Sequence, residues 1–579
     1  MKKHVGIDLG TTNSTISLAF LNTQQEINTR TLQVKQIDES GENFTFQTTL
    51  PSVLYISEQN TRYVGLYAKK MISKFPKQVI RESKRVIGTS KKWVVQEQEI
   101  RPEEVAANIL KVLRNEAEKY YGEPVNEAVI TVPANFNFQR KNATVAAASL
   151  AGFDANRVYT LAEPTAALLD FIYEEKKLDD SHRRIQLTDT YKNLLVVDLG
   201  GGTCDVSILQ VKEQEDGQLT IHEVSVSQYM ELGGYDFDKQ VANYLMSKLM
   251  KSMQMTPQQF VKLYDSSIVV NLSEQALHMA ELAKKHFALE IEAATVQNGT
   301  TYYDEPEKYD DLTYTRNFTG LPSEIPSQMH ITKKEYDTII ATYLYAAKSR
   351  DGRNIESTID GALRSSIVPL EKEQIDGIFL VGGMTLYPTV AYRVYEIFDK
   401  RIQPIVSLNP LEVVSRGAAI YHYHLDKIFV QQMEAVELTY QPIVPENIYV
   451  ETVHGEPILL VEKGTTGPIT KVFENEFYMA GTPDIEYAHA MELELFEAEE
   501  PNGMTKRKLH AAMILFKNPI SIGTRVIISV HVSPAAEISV KAWVEGHESE
   551  VLDVEIQDYK YTVDEFEQVQ KRLETINQL

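Results

Sequence analysis

Cysteine is almost absent: a single thiol, Cys204, occurs in 579 residues. No disulfide can form within the chain, and a reducing compartment is the natural expectation. Flanked by Thr203 and Asp205 in a strand-like stretch, the thiol reads as a small buried hydrophobe rather than a redox group. Apolar runs of about 18 residues are also missing, and the first residues enter a strand with no charged-then-apolar leader. These absences argue against a spanning helix and make the cytoplasm, with no membrane partner, the default. Basic residues are in deficit, 58 Lys and Arg against 81 Asp and Glu, for a net charge of -23. That balance excludes broad neutralisation of nucleic-acid phosphates, so no nucleic-acid partner is expected. Hydrophobic and charged fractions of 43% and 24% are ordinary globular values, and the length suggests about four structural units.

What is present centres on residues 194–211, LLVVDLGGGTCDVSILQV. Leu194, Leu195, Val196 and Val197 read as a buried strand, with Val206, Ile208 and Val211 on its returning partner. Between them lies D-L-G-G-G-T, residues 198–203. Consecutive glycines let backbone N–H groups approach an anion without a Cβ in the way, and an aspartate at the strand end can hold a hydrated divalent metal beside it. The N-terminus repeats the plan. Val5, Ile7 and Leu9 lead to the turn D-L-G-T-T, residues 8–12, after which Ile16, Leu18 and Phe20 alternate. Two such units imply a duplication in which each half presents one hairpin to a shared ligand. Neither is a P-loop or a dinucleotide fingerprint, because both of those open a helix whereas here the chain returns as strand.

Elsewhere, residues 102–121 form an amphipathic helix with Val105, Ile109, Val112 and Leu113 on one face. A strand at 128–134 exits through Pro133, and a helix over 140–151 stops at Gly152. Residues 179–192 read as an exposed loop, 273–286 as helix and 295–328 as turn-rich. From about residue 438 the pattern changes to alternating strands with Pro501-Asn502-Gly503 as a hairpin turn, a small all-β domain. Near the end, Thr562 and Glu565 make a capping box, and Val563, Phe566, Val569, Leu573 and Ile576 recur at helical spacing.

Paired glycine hairpins resemble the phosphate site of the actin-like ATPases. With S-K-R-V-I-G at 83–88, A-E-P-T-A-A at 162–167, E-L-G-G-Y-D-F-D at 231–238, E-L-A-K-K at 281–285 and V-G-G-M-T-L at 381–386, the chain resembles the seventy-kilodalton heat-shock (DnaK-type) chaperone family. The resemblance implies an α/β actin-like ATPase of duplicated two-lobe fold, followed by a small all-β sandwich and one C-terminal helix. The implied boundaries are 1–427, a linker at 428–445, the peptide-binding sandwich at 446–558 and the helix at 559–579.

The implied activity is slow ATP hydrolysis with Mg2+, gating the binding of extended apolar segments of unfolded polypeptide, with a J-domain co-chaperone and a nucleotide-exchange factor as partners. By resemblance, Asp8 and Asp198 hold the waters of the metal, with Asp205 a further carboxylate near it. Lys84 lies against the γ-phosphate, and Glu163 with Asp198 orients the attacking water. Gly10, Thr11, Thr12, Asn13, Gly200, Gly201, Gly202 and Thr203 surround the phosphates. Gly233 and Gly234 touch sugar and phosphate, Glu281 and Lys284 the ribose, and Lys285 the adenine. Gly382, Gly383 and Met384 complete the adenosine side, and Val450 and Val453 line the peptide cleft, where a role as core residues is the competing reading.

Three departures carry expectations. Met384 and Leu386 stand where the family has a hydroxyl and an arginine, so weaker contact with the base is expected. Leu438, Thr439, Tyr440, Gln441 and Pro442 replace the family's apolar linker ending in aspartate; Pro442 has no N–H to donate, so weak docking is expected. The family's multi-helix lid has no counterpart in residues 559–579, which leads to the expectation of a lidless relative. Rival readings are a small-molecule kinase of the actin superfamily, which leaves the β domain without a task, and a nucleotide-dependent scaffold or filament protein.

Overall fold

Alternation of apolar and small residues around each glycine turn folds 4–21 and 192–213 into antiparallel hairpins, His4–Asp8 with Asn13–Leu21 and Lys192–Leu199 with Cys204–Glu213. The computed structural model describes residues 2–299, 301–365, 368–407, 409–430, 438–453, 455–481, 486–503, 506–555 and 561–577. Each hairpin lies in a sheet of the same design. A third antiparallel strand flanks one side, Ile27–Thr31 in the first half and Leu219–Val226 in the second. Two parallel strands flank the other, Ala128–Val132 and Val158–Ala162, or Gly377–Val381 and Ile405–Val406. The duplication read from the sequence is thus present in strand order and direction.

Two helices, Glu163–Lys176 and Val413–Val430, pack against each other between the sheets. Their approach depends on missing side chains: a Cβ at Gly417 would lie 1.7 Å from the carbonyl oxygen of Ala166, and one at Gly6 would lie 2.2 Å from the nitrogen of Ala419. Arg416 holds Asp170 in a two-pronged ion pair, 2.6 and 2.9 Å. Burial pushes the Asp170 carboxyl up to about 6 against the pull of that guanidinium.

Helix ends follow cap chemistry more than pattern length. The helix expected over 140–151 runs Phe138–Leu150, because the Asn137 side chain accepts from the N–H of Arg140 and starts it two residues earlier. That expected over 273–286 is the middle of Ser266–Asn298. Within the stretch expected to be turn-rich, 313–317 is a strand, and it pairs with 328–332 as a short hairpin.

Beyond residue 438 two four-stranded antiparallel sheets share one apolar core, including Leu495, Ile528, Val540 and Val554. They are Asn447–Val450, Ile458–Val461, Tyr487–Ala498 and Arg507–Ser521 on one side, and Ile469–Tyr478, Arg525–Val532, Ile538–Val544 and Leu552–Glu555 on the other. This sandwich sits on the two halves: Phe138 packs on its core, Asn137 donates to Glu497, and Gln228 donates to Glu499.

The linker is paired. Leu438–Gln441 adds a parallel strand to the free edge of Leu219–Val226. Leu438 is buried, and Tyr440 meets Tyr421 edge-on with ring centres 5.9 Å apart. The strand ends one residue before Pro442, so the missing N–H interrupts no ladder bond. Residues 431–437 of the expected linker lie outside the described residues.

The C-terminal helix, Val563–Leu573, docks on the first half through Val569 and Leu573, joined by Ile576 just after it. Val563 is not part of the apolar stripe; at the first helical position it is 75% exposed. Among the described residues no helix is long and apolar enough to cross a membrane.

Candidate active site

The two glycine turns meet. A Cβ at Gly201 would lie 1.7 Å from Oγ1 of Thr12, and one at Gly202 would lie 2.4 Å from Cγ2 of Thr11 and 2.8 Å from Nε of Arg85. Gly233 seals the contact from the side, since its Cβ would lie 2.2 Å from the nitrogen of Gly202. These closures need glycine on steric grounds. The first helical N–H groups of Gly234–Ser252 donate to the tip of the second hairpin, Gly234 to Gly200 at 2.9 Å and Tyr235 to Gly201 at 3.0 Å.

Below the tips lies the charge. Asp8 ends the first strand of its hairpin and Asp198 occupies the same place in the other. Asp205 stands directly across the ladder from Asp198. Glu163 opens the helix that enters from Ala162, and the nitrogen of Lys84, in the tight turn Ser83–Val86, is hydrogen-bonded to its carboxylate. Glu163, Asp198, Asp205 and Lys84 are buried and Asp8 is half-buried.

Four carboxylates thus share one buried ammonium. Burial, then the charge of Glu163, pushes Asp8 and Asp205 up to about 7, opposed by Lys84. Burial and the neighbouring Glu163, Asp205 and Asp8 hold Asp198 far above its usual range. Burial alone would lower Lys84, but Glu163 and Asp8 hold its ammonium above the ordinary value.

A divalent cation fits this set. One carboxylate oxygen, Oδ2 of Asp205, is buried without a hydrogen bond, and among the described residues Lys84 is the cation set against the surplus negative charge. Among the described residues no three Asp, Glu, His or Cys side chains converge enough to hold a bare ion. The donors therefore suit a cation that keeps most of its water shell, as magnesium does.

Further out, Lys284 is committed to Asp238, 2.8 and 2.9 Å. A Cβ at Gly234 would lie 3.5 Å from the nitrogen of Lys284 and 3.8 Å from Sδ of Met384, so these three positions adjoin. Gly382 takes φ +83, and a Cβ there would meet the carbonyl of Leu199 at 2.4 Å and Oδ1 of Asp198 at 2.6 Å. Gly383 begins the short turn after it, which carries buried Met384 and half-exposed Leu386. Glu281 pairs with Lys285 along the helix at 2.7 Å and with Lys69 of the first half at 3.6 Å. Asn13 and Thr203 lie at the returning end of each turn, and Gly10 and Gly200 at the leaving end.

The cleft assignment for Val450 is corrected. It is 1% exposed inside the sandwich core because its strand turns that side chain inward. Val453, past the strand end, is 72% exposed.

Several residues escape sequence reasoning. Arg85 bonds Asp236 at 2.6 Å and joins the halves beside Gly202. Both lay inside motifs already singled out, so proximity to Lys84 and to Gly233 was the available signal. Arg81 reaches across to Glu274 at 3.6 Å. Asn135 donates to Asp205 at 2.5 Å, and nothing in the local sequence marks it.

The family described as Hsp70 protein matches this chain over residues 4–101, 90–305 and 327–575.

Proposed function

The chain belongs to the Hsp70 family, a family of ATP-dependent chaperones, and from that premise we propose that it hydrolyses ATP slowly, with magnesium, to control the binding of extended apolar polypeptide. The observation that carries the reading is the lone buried ammonium of Lys84 amid Asp8, Glu163, Asp198 and Asp205, beneath two touching glycine turns.

Phosphoryl transfer asks for positioning and charge neutralisation rather than a covalent intermediate. Asp8 and Asp198, with Asp205 behind them, hold the waters of magnesium, which when bound neutralises the phosphate oxygens. Lys84 faces the terminal phosphate and steadies the charge that grows on it as the bond loosens. Glu163 and Asp198 orient the attacking water. Backbone N–H groups of residues 10–13 and 200–203, with the hydroxyls of Thr11, Thr12 and Thr203, hold phosphate oxygens. Gly233, Gly234, Glu281, Lys284, Lys285, Gly382, Gly383 and Met384 surround the nucleoside.

Residues 1–427 form the nucleotide-binding unit in this reading, 446–558 the peptide-binding sandwich, and exposed Val453 belongs to the cleft. Docking of Leu438–Gln441 beside Leu219–Val226 favours a chaperone over a small-molecule kinase, because it ties the sandwich to the hairpin sheet that carries Asp198 and Asp205. ATP turnover measured with and without an extended apolar peptide tests the reading. Stimulation by peptide, lost in Lys84→Ala, is expected; turnover that instead requires a small hydroxylated acceptor would overturn it.

A further inference from the structure

The C-terminal helix is built into the core of the first half. Val569, Leu573 and Ile576 are at most 5% exposed there. The backbone of Arg62 donates to Thr575 at 3.1 Å and accepts from Asn577 at 2.9 Å. At the centre of the contact Arg62 and Arg572 both grip Glu104, at 2.8 and 2.9 Å, and the side chains of Arg62 and Glu104 are each 1% exposed. Burial pushes Glu104 up, and the two guanidinium groups oppose it. Removing one partner from such a triad leaves charge poorly compensated in a dry site.

Glu104 lies in the first turn of Pro102–Tyr121, next to Glu103. Glu103 is fully buried, and its Oε1 accepts the N–H of Gly88 at 2.9 Å. Gly88 closes the turn that carries Lys84. It takes φ +75, and a Cβ there would meet Cα of Arg140 at 3.0 Å, so the turn has little room to shift. Pro102–Tyr121 also packs on the Ser83–Val86 turn.

We propose that the C-terminal helix positions the ATPase site: through Arg572 and Glu104 it fixes the helix start whose Glu103 holds the Lys84 turn in place. Arg572, Glu104 and Glu103 are positioning residues in this scheme and touch no substrate. The scheme rests on the role given to Lys84 in ATP hydrolysis. It assigns residues 563–577 a task in the chemistry of the first half.

Arg572→Met keeps the apolar stem and removes the charge, and Arg572→Lys keeps a cation. In the full-length chain the methionine variant is expected to speed amide hydrogen exchange across residues 83–88. Its single-turnover ATP hydrolysis is expected to fall roughly tenfold, short of the hundredfold that a full ångström of misplacement can cost, while ATP affinity by calorimetry stays unchanged. The lysine variant should recover part of both. Faster exchange confined to the C-terminal helix, with 83–88 and hydrolysis untouched, would overturn the proposal. Should Arg572→Met fail to fold, Glu103→Ala, which leaves the triad whole, must reproduce the same split between rate and affinity or the proposal falls. Loosened exchange at 83–88 in a chain that never hydrolyses ATP would support the mechanical link and overturn the ATPase reading instead.

Discussion

In the first half of the ATPase the residue facing the strand-end aspartate Asp8 across the ladder is Thr15, whereas in the second half the residue facing Asp198 is Asp205. Both turns hold the same number of residues, so the backbones correspond position by position. The chemistry hung on them does not. Thr15 is buried and donates to Ser415 at 2.9 Å, serving the contact with the helix Val413–Val430. Asp205 is equally buried but keeps a carboxylate oxygen without a hydrogen bond. Where the first turn has Thr11 and Thr12, the second has Gly201 and Gly202, and the methyl and hydroxyl of the one fill the space left by the other. A duplicated scaffold has thus been divided: one half supplies Lys84, Glu163 and packing, the other supplies the extra carboxylate and the open backbone. Their outer edges differ too. The second sheet takes the linker strand beside Leu219–Val226, while among the described residues no further strand lies beyond Ile27–Thr31 in the first.

The comparison breaks hardest at Lys84, the first half's cation for the second half's charge. Lys84→Ala should reduce hydrolysis by at least a hundredfold, in line with removing a group that stabilises developing charge, and weaken ATP binding far less. Equal losses in rate constant and affinity would refute the assigned role.

Exchanging the paired residues asks whether the division of labour is fixed. Thr15→Asp would bury a carboxylate where Thr15 now meets Ser415, opposite Asp8, and should cost about 3 kcal/mol of stability, read from urea unfolding. Asp205→Thr should fold normally, relieved of a strained charge, yet lose hydrolysis. A Thr15→Asp chain as stable as the wild type would show that the first site can host charge after all.

The edge difference is tested by Leu438→Asp, which puts a charge on the buried linker leucine. It should cost about 2 kcal/mol of docking and expose the linker to limited proteolysis. Unchanged cleavage would mean that main-chain bonds to Leu219–Val226 suffice.

The smallest effect is on pH. Burial pushes both Glu223, which accepts the N–H of Ile443 at the linker exit, and Glu497, which faces Asn137, from 4.5 up to about 7. Their native values lie above the unfolded ones, so the native chain binds more protons between pH 4.5 and 7. Their contribution is therefore fully present below 4.5 and is lost as pH rises through 7. Glu497→Gln should flatten part of that slope in urea titrations at successive pH values. An unaltered slope would remove Glu497 as its source.

Much of this was written locally. Strand alternation and glycine turns specify the two hairpins because a period of two and a missing Cβ act within a few residues. The asparagine cap at Asn137 is equally local, and it starts the helix two residues before position 140. Lys84 gained its place only from resemblance, since an isolated lysine in a polar stretch carries no signal of its own. Val450 shows the opposite limit. A valine near a strand end fits a cleft or a core equally well, and only the direction of the strand in the sandwich turned it inward.

The sequence by itself determined the duplicated strand-turn-strand units, the position of Asp8 and Asp198 at their ends, the change to β structure after residue 438 and the amphipathic C-terminal helix. Each depends on short-range periodicity or on the conformational freedom of glycine. Only the tertiary structure decided that Asn135 reaches Asp205, that Arg85 joins the halves through Asp236, that Leu438–Gln441 docks despite Pro442, and that the last helix lies on the first half with Arg572 on Glu104. Those contacts join residues distant in the chain, and their partners are set by how the sheets and helices stack, which no local pattern encodes.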